Sequence, residues 1–478
     1  MKLRFSNYVM KNSLLYFAFC TICILFTYSI GGESSFLPLA IATVVETVIF
    51  GFLQKKITGE YFTFATLFFL ILALFHFGQV WICGFWGNLA ETLRFRIVIN
   101  YFVSSDSVKA MRLINISFCL FGTGLMTQTY RQNNDANYSD NMVDDSYYQR
   151  IAKRIIFVTF PIKIIIDSIF LFYSFAYDFS TALQWNGNFP DFIKIIGNFS
   201  IIGFGLLIVS LRKHRSNQLR VFLFIAAYLV LLMISGKRSE TVSYLVILAF
   251  VYFMTSQRRI KKVRTIIIVC ILGYFLLTFL YTTVRFRSNE DKTFAGFFDL
   301  FVDLLFKRNI IMEAMREYGN TGYTPICVLI NWLNTYSPSY GKSYYLGSLL
   351  IFPNIGGIIG RINTEAAYAV QLQNYNMVMP GFRNIGGSII GELFFNFGVI
   401  GGLVFSFIFG CILGKVSNKF NSIIRGNRLN SLMYMLPIMF ATTYWIRDTF
   451  GNCIREIVWG LLFCYFISKT VPKIRNEV

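Results

Sequence analysis

Residues Pro380–Gly414 read PGFRNIGGSIIGELFFNFGVIGGLVFSFIFGCILG. The segment starts polar and glycine-rich, and from Asn396 onward it is apolar enough to cross a bilayer. Ser388, Glu392 and Asn396 are spaced four residues apart, which places them on one face of a helix whose other faces carry Ile, Leu and Phe. Polar groups are costly where a helix enters a membrane, so the segment predicts a functional site there.

The composition predicts an all-α protein that crosses the membrane many times. Hydrophobic residues make up 55% of the 478 residues and charged residues 14%, with a mean hydropathy of +0.56, whereas a soluble protein carries about 25% charged residues. The net charge of +20 does not indicate nucleic-acid binding, because the basic residues lie in short runs between apolar segments. The first apolar segment lacks a cleavage site and is predicted to be a retained helix.

Apolar runs predict about twelve membrane-spanning helices within a single domain, residues 1–478. The predicted spans are 12–31, 35–54, 61–83, 107–128, 155–177, 191–211, 219–235, 241–256, 263–284, 396–414, 429–446 and 454–471. Basic residues concentrate in alternate loops and are absent from 32–34 and 178–190. This bias predicts that both termini are cytoplasmic.

One long outer segment, 285–388, is too polar for tandem spans and too apolar for a free soluble domain. Apolar side chains between Phe294 and Leu305 follow helical spacing, which predicts an amphipathic helix at the membrane interface. Ser343–Gly360 is apolar but broken by Pro353 and glycines. This pattern predicts an interfacial or re-entrant piece packed against the bundle.

The nine cysteines are scattered, and no metal-ligand spacing appears among them. Cys20 and Cys23 lie in an apolar run, where packing is the favoured interpretation. We therefore expect no metal site and no cofactor.

Several basic residues break the topology rule, because they lie on the predicted outer side of the membrane. They are Lys237, Arg238, Arg285, Arg287, Arg383, Arg447 and Arg455. Arginine stays charged and binds phosphate through two parallel hydrogen bonds. Cations that converge from separate outer segments therefore predict a binding site for a pyrophosphate. The alternative is that some of them pair with neighbouring acids. The candidate pairs are Arg238 with Glu240, Arg447 with Asp448 and Arg455 with Glu456.

The remaining polar candidates have two interpretations each. Glu392 could be a general base that accepts a proton from a sugar hydroxyl, or a structural partner of an outer arginine. Asn384, Ser388 and Asn396 could bind sugar hydroxyls or could bond across helices. The two histidines receive no catalytic role, because one lies within a predicted span and the other in a cytoplasmic basic run; they are His76 and His214.

Two motifs together carry a family resemblance. The first is the turn Gly236-Lys237-Arg238-Ser239, which precedes the large loop. The second ends that loop and comprises Gly386, Ser388, Glu392, Phe394, Asn396, Phe397, Gly398 and Gly401. Over about residues 200–460 the chain resembles the O-antigen polysaccharide polymerase family, the Wzy-type oligosaccharide repeat-unit polymerases of bacterial surface glycan assembly.

The resemblance implies a metal-independent glycosyltransferase of the bacterial inner (plasma) membrane, similar in plan to GT-C enzymes. Such enzymes move a growing glycan from undecaprenyl pyrophosphate onto a second lipid-linked repeat unit at the outer face. Arg238, Arg285 or Arg287, and Arg383 would hold the donor pyrophosphate. Glu392 would orient or deprotonate the acceptor hydroxyl, and a separate chain-length regulator could be a further partner.

Two alternative functions stay open. O-antigen ligases are thought to rely on a histidine in the outer loop, and 285–388 contains none. A flippase for lipid-linked sugars would need a polar path through the bundle, whereas mid-span charges are few, chiefly Lys163, Asp167 and Lys194. The absence of an internal repeat also weighs mildly against a transporter built from duplicated halves.

Overall fold

The computed structural model describes most of the chain with gaps. The described ranges are 7–30, 35–92, 105–129, 145–177, 179–256, 262–286, 293–307, 309–352, 372, 386–425 and 429–471. Within these ranges the protein is helical and contains no strand, which confirms the predicted all-α class.

The first part of the chain forms long helices, with one short helix among them. They are α1 (Asn7–Ser29), α2 (Leu37–Thr58), α3 (Phe64–Thr92), α4 (Ser105–Thr127), α5 (Asp145–Ala176), the short α6 (Phe179–Gly187), α7 (Asp191–Ser210), α8 (Arg215–Ile234), α9 (Arg238–Thr255) and α10 (Lys262–Phe286). Shorter helices follow, and three long helices end the chain. These are α11 (Phe294–Leu305), α12 (Ile310–Tyr318), α13 (Tyr323–Cys327), α14 (Leu333–Thr335), α15 (Lys342–Gly347), α16 (Ile389–Arg425), α17 (Leu429–Trp445) and α18 (Phe450–Thr470).

Each predicted span overlaps one of the long helices. In the part of the chain that the structure describes, nine helices are both long and apolar enough to cross a membrane. The apolar part of α9, Glu240–Thr255, is shorter than those nine, and α17 has 17 residues, close to the lower limit of about 17–25 residues for a span. The structure therefore establishes a multi-pass helical membrane protein, and the count of twelve stays a prediction.

The predicted amphipathic helix is α11. The Thr293 side chain caps its start by accepting a hydrogen bond from the Gly296 N–H at 3.0 Å. Phe297 is fully buried against the end of α10, while Phe298 is exposed. In the predicted re-entrant piece, α15 and a 3-10 turn over Ser348–Ile351 are described and pack on α18; the remainder of that piece lies outside the described residues.

The helix α16 holds most of the loop-end motif and contacts several others. It packs along α4, where the Ser117 and Ser406 hydroxyls lie 2.6 Å apart. Its helical conformation is interrupted at Gly398, which has φ of 69°. Only glycine adopts that conformation without strain, so Gly398 separates the first two turns of α16 from the long apolar part. The polar residues of the motif lie in and just before those two turns.

Candidate functional site

The helices α11 to α15 pack at one end of the bundle, where α9 begins and α10 and α17 end. We call this the loop end. An apolar groove of about 140 Å³ lies there between α3, α9, α10 and α17. Its walls are aliphatic and aromatic, and they include Phe75, Leu277 and Leu280. Among the described residues that line the groove, the one charged side chain is Arg447, whose guanidinium lies 5.8 Å from the centre of the Phe75 ring.

A second group of cations lies where α10 ends. Arg285 donates from Nε to the Tyr281 hydroxyl at 2.6 Å, and its Nη2 lies 3.8 Å from Glu313 Oε2. Lys307 Nζ lies 2.8 Å from the other oxygen of Glu313. Burial alone would raise the pKa of Glu313, but hydrogen bonds from Lys307 and Tyr281 hold it below its usual value. Arg285 is thus a half-exposed cation one turn beyond Leu280, a wall of the groove.

Lys237 belongs to a different cluster, built around a buried acid in α5. Asp167 is 2% exposed, and its two oxygens lie 2.8 Å from Lys237 Nζ and 3.2 Å from Lys163 Nζ. The Tyr228 hydroxyl donates to Asp167 at 2.6 Å. Asp167 and the two lysines, with Lys194 and Glu240, line a cavity of about 70 Å³. The mid-span charges noted in the sequence therefore share one polar cavity, which has room for a few water molecules.

Replacing Asp167 with asparagine should destabilise the protein by about 3–5 kcal/mol, because it removes the carboxylate that pairs with the buried Lys163 and the partly buried Lys237. Thermal unfolding in detergent measures the change. Asp303→Asn is the matched control, because Asp303 lies exposed on α11. Equal unfolding temperatures for the two variants would show that the Asp167 cluster contributes little to the fold.

Glu392 lies where three helices meet and is 1% exposed. Its Oε2 accepts a hydrogen bond from Trp445 Nε1 at 2.7 Å, and both of its oxygens accept from the Phe450 N–H at 3.1 Å. Phe450 is the first residue of α18, so the carboxylate satisfies a backbone donor at a helix N-terminus, where negative charge is favourable. The geometry is that of a clamp joining α16, α17 and α18.

Ser388 caps α16 and also reaches α3. Its Oγ accepts from the Gly391 N–H at 3.1 Å and lies 2.8 Å from His76 Nε2. His76 Nδ1 lies 3.0 Å from the Leu72 carbonyl oxygen, which can only accept. Nδ1 therefore carries the ring hydrogen, and Nε2 accepts from the Ser388 hydroxyl. Ser388 and His76 are both fully buried, so this bond joins α3 to the start of α16.

Asn396 extends the same network toward α15. Its Nδ2 donates to the Glu392 carbonyl oxygen at 2.8 Å, and its Oδ1 accepts from the Ser343 N–H at 3.3 Å and the Ser343 hydroxyl at 2.9 Å. Asn396 has no exposed surface. In this conformation its amide is occupied by protein partners rather than open to a sugar.

The last predicted cations lie in the turn between α17 and α18 (Arg447) and in α18 itself (Arg455). Arg455 Nη2 donates to Asn452 Oδ1 at 3.1 Å, and Asn452 donates to Asp448 Oδ1 at 3.0 Å. Burial raises the pKa of the Asp448 carboxyl. Gly387 of the loop-end motif lies against this turn, since a Cβ there would overlap backbone atoms of Asp448. The motif therefore packs directly beside the residue that follows Arg447.

Part of the predicted site falls outside this geometry. Arg287, Arg383 and Asn384 lie outside the described residues. Arg238 is the first residue of α9, and its side chain is likewise not among those described. Of the predicted cations, Arg447 lines the groove, and Arg285 follows the groove residue Leu280 by five positions. Lys237 instead contacts Asp167, and Arg455 contacts Asn452.

A family model described as O-antigen polysaccharide polymerase Wzy matches residues 11–474, nearly the whole chain. The chain belongs to this family. Membership confirms the resemblance seen in the two sequence motifs and makes the chain a Wzy polysaccharide polymerase by family. Searches of curated proteins and of solved structures found no match.

Sequence reasoning missed two residues of this Wzy protein's loop end. His76 received no role, yet it is hydrogen-bonded to Ser388 of the motif. Arg316, in α12, was not singled out, yet it is 8% exposed and neighbours Arg285 and Glu313 electrostatically. For His76 a signal was present, because an imidazole in an apolar helix needs a hydrogen-bond partner. For Arg316 no signal was present, because the neighbouring acids Glu313 and Glu317 make a local ion pair the simplest interpretation.

Proposed function

We propose that this chain polymerises a bacterial surface glycan by moving the growing chain from undecaprenyl pyrophosphate onto a lipid-linked repeat unit. In this proposal it spans the plasma membrane twelve times, with both termini in the cytoplasm and a GT-C-like plan. The loop end then faces outward, where the reaction takes place. The bilayer and the lipid-linked oligosaccharides are its partners, with a chain-length regulator as a further candidate.

The observation that carries this proposal is the apolar groove with Arg447 in its wall. A polyprenyl pyrophosphate is an amphiphile with a long apolar chain and a doubly phosphorylated head. A groove of aliphatic and aromatic side chains suits the first isoprene units, and a guanidinium suits the head. Arg447 is the group that brings these two requirements together in one cavity.

The transfer reaction needs positive charge near the leaving pyrophosphate, which Arg447 and neighbouring cations supply in this proposal. An acceptor hydroxyl oxygen bonds to the anomeric carbon of the donor as the bond from that carbon to the pyrophosphate oxygen breaks. The hydroxyl proton passes to the leaving pyrophosphate or to water. Negative charge then grows on the leaving pyrophosphate, and in this proposal Arg447 and Arg285 stabilise it without a divalent metal ion. Arg238, Arg287, Arg383 and Arg455 stay proposed contributors, as does Lys237 through the turn that begins α9.

The polar residues of the loop-end motif act on positioning in this proposal. Glu392, Ser388 and Asn396 are buried and bonded to protein groups. They hold the start of α16 against the turn that carries Arg447. The role of Glu392 as a general base stays a prediction, and Asn384 stays a proposed sugar ligand.

Deleting the gene tests the polymerase against the two alternatives. Loss of a polymerase should leave surface glycan that is one repeat unit long. Loss of a flippase should strand repeat units on the cytoplasmic face, and loss of a ligase should leave long glycan on its lipid carrier. The last two outcomes would each overturn the proposal.

Filling the groove should weaken binding of the lipid-linked donor. Ser243 lines the groove from α9, and Ser243→Phe places a ring where the isoprene units would lie. We expect the KM for the donor to rise by at least about tenfold, equivalent to about 1.4 kcal/mol, because apolar surface is no longer buried.

The matched control for the groove variant is Val404→Phe, since Val404 is 52% exposed on α16 and does not line the groove. Initial rates measured over a range of donor concentrations separate KM from kcat. An unchanged KM in Ser243→Phe would show that the carrier binds elsewhere.

A further inference from the structure

A buried acid lies far from the groove, in the middle of α2. Glu46 has no exposed surface. One of its oxygens accepts from Asn115 Nδ2 at 3.2 Å, and the other has no hydrogen-bond partner within the described part of the chain. A carboxyl group in the middle of a membrane-spanning helix is costly and requires a partner or a proton. The packing around Glu46 therefore needs an explanation that the polymerase reaction does not supply.

Two cysteines from other helices meet Glu46. Cys20 lies on α1 and Cys119 on α4, and both are buried free thiols. The two sulfur atoms and a Glu46 oxygen all lie within 4.8 Å of one another. In a tetrahedral zinc site, Zn–S bonds of about 2.3 Å and Zn–O bonds of about 2.0–2.2 Å place neighbouring ligand atoms about 3.5–3.8 Å apart. A small inward movement of the three side chains would reach that spacing.

We propose that Cys20, Glu46 and Cys119 bind a structural zinc ion. Two thiolates and a carboxylate form a ligand set that suits zinc, and the thiolates disfavour magnesium and calcium. Binding displaces one proton from each thiol and from the carboxyl group, so the ion replaces three protons and gives the orphaned Glu46 oxygen a partner. Asn115, which already donates to Glu46, orients the carboxylate from outside the ligand set.

The surroundings supply a further oxygen. The Tyr16 hydroxyl is buried and without a hydrogen-bond partner among the described residues, and it neighbours Cys20, Cys119 and Glu46. It lies one turn before Cys20 on the same face of α1. In this proposal a fourth donor closes the coordination, as structural zinc sites require, and the Tyr16 hydroxyl or a water molecule would supply it.

The proposed ion fastens α1, α2 and α4 together and takes no part in the transfer of sugar. None of these three helices lines the groove that contains Arg447. The sequence predicted no metal site, because its ligands come from three separate helices and share no short spacing. The three ligands come together only when the helices pack in the folded protein.

Metal content of the full-length protein, purified in detergent without an affinity tag that binds metal, tests the proposal. Wild type should carry about one zinc per chain, whereas Cys119→Ser and Glu46→Gln should carry less than about a tenth as much, because losing a ligand opens the site. Cys464→Ser is the matched control, because Cys464 is a buried cysteine of α18 that donates to the Met433 carbonyl oxygen. It should keep its zinc.

A second measurement, made on the wild-type protein, tests the proposal even if the variants fail to fold. Wild type grown with cobalt in place of zinc should show the near-ultraviolet charge-transfer band of a cobalt–thiolate bond. Zinc-free wild type without that band would overturn the proposal, as would full zinc retention in the double variant Cys20→Ser/Cys119→Ser.

Discussion

Replacing Arg447 with alanine is expected to slow glycan polymerisation by about 10²–10³-fold, the loss typical of removing a group that stabilises charge in the transition state. Arg447 is the charged residue in the wall of the apolar groove, and its guanidinium lies against Phe75. No other described lining residue can take over its charge. The rate is measured by the formation of polymer from lipid-linked repeat units.

Two further variants show whether the loss reflects this site. Lys109→Ala removes a cation that is 58% exposed and paired with Asp106 at 3.7 Å, and it should leave the rate unchanged. Arg447→Lys keeps the charge but not the bidentate fork, so an intermediate rate is expected. Wild-type activity in Arg447→Ala would show that the pyrophosphate does not bind in this groove.

Replacing Glu392 should separate a positioning role from a catalytic one. Glu392→Leu leaves the Trp445 Nε1–H and the Phe450 N–H buried without acceptors. We expect it to lower the free energy of unfolding by about 2–6 kcal/mol, since each of the two orphaned donors costs about 1–3 kcal/mol. Thermal unfolding in detergent measures this loss.

Glu392→Gln keeps an oxygen that can accept both hydrogen bonds. It should therefore fold and polymerise within about tenfold of wild type, because a positioning group needs its hydrogen bonds more than its charge. A general base would lose about 10²–10⁴-fold in the same variant. A folded Glu392→Gln protein with a loss of that size would contradict the positioning role and establish the base predicted from the sequence.

The helices could be predicted from the sequence, because a helix that crosses a bilayer must be apolar over about 20 residues. Each predicted span overlaps a helix, and Phe294–Leu305 forms the amphipathic helix that its spacing predicts. Span ends were less accurate. The helix α16 begins at Ile389, seven residues before the predicted span at 396, and so includes Glu392 and Asn396 as their spacing predicts. Ser388 caps this start, and Glu392 finds donors within the protein.

The site was predictable only as a set of residue types. The sequence predicts the same outer location for Lys237 and Arg447, yet one contacts Asp167 and the other lines the groove. Nothing local in the sequence distinguishes them, because each partner lies on a distant helix. His76 and Ser388 are 312 residues apart in the chain. The motif identified the family, but tertiary packing decided which polar groups are occupied by protein partners.

Polymerisation by the purified protein tests the central claim most directly. Wild-type protein in detergent would be mixed with undecaprenyl-pyrophosphate repeat units, and the products resolved on a gel. The account predicts a ladder of glycans that differ by one repeat unit, formed by wild type and lost in Arg447→Ala. A cognate lipid that stays a single repeat unit with folded wild-type protein would contradict it.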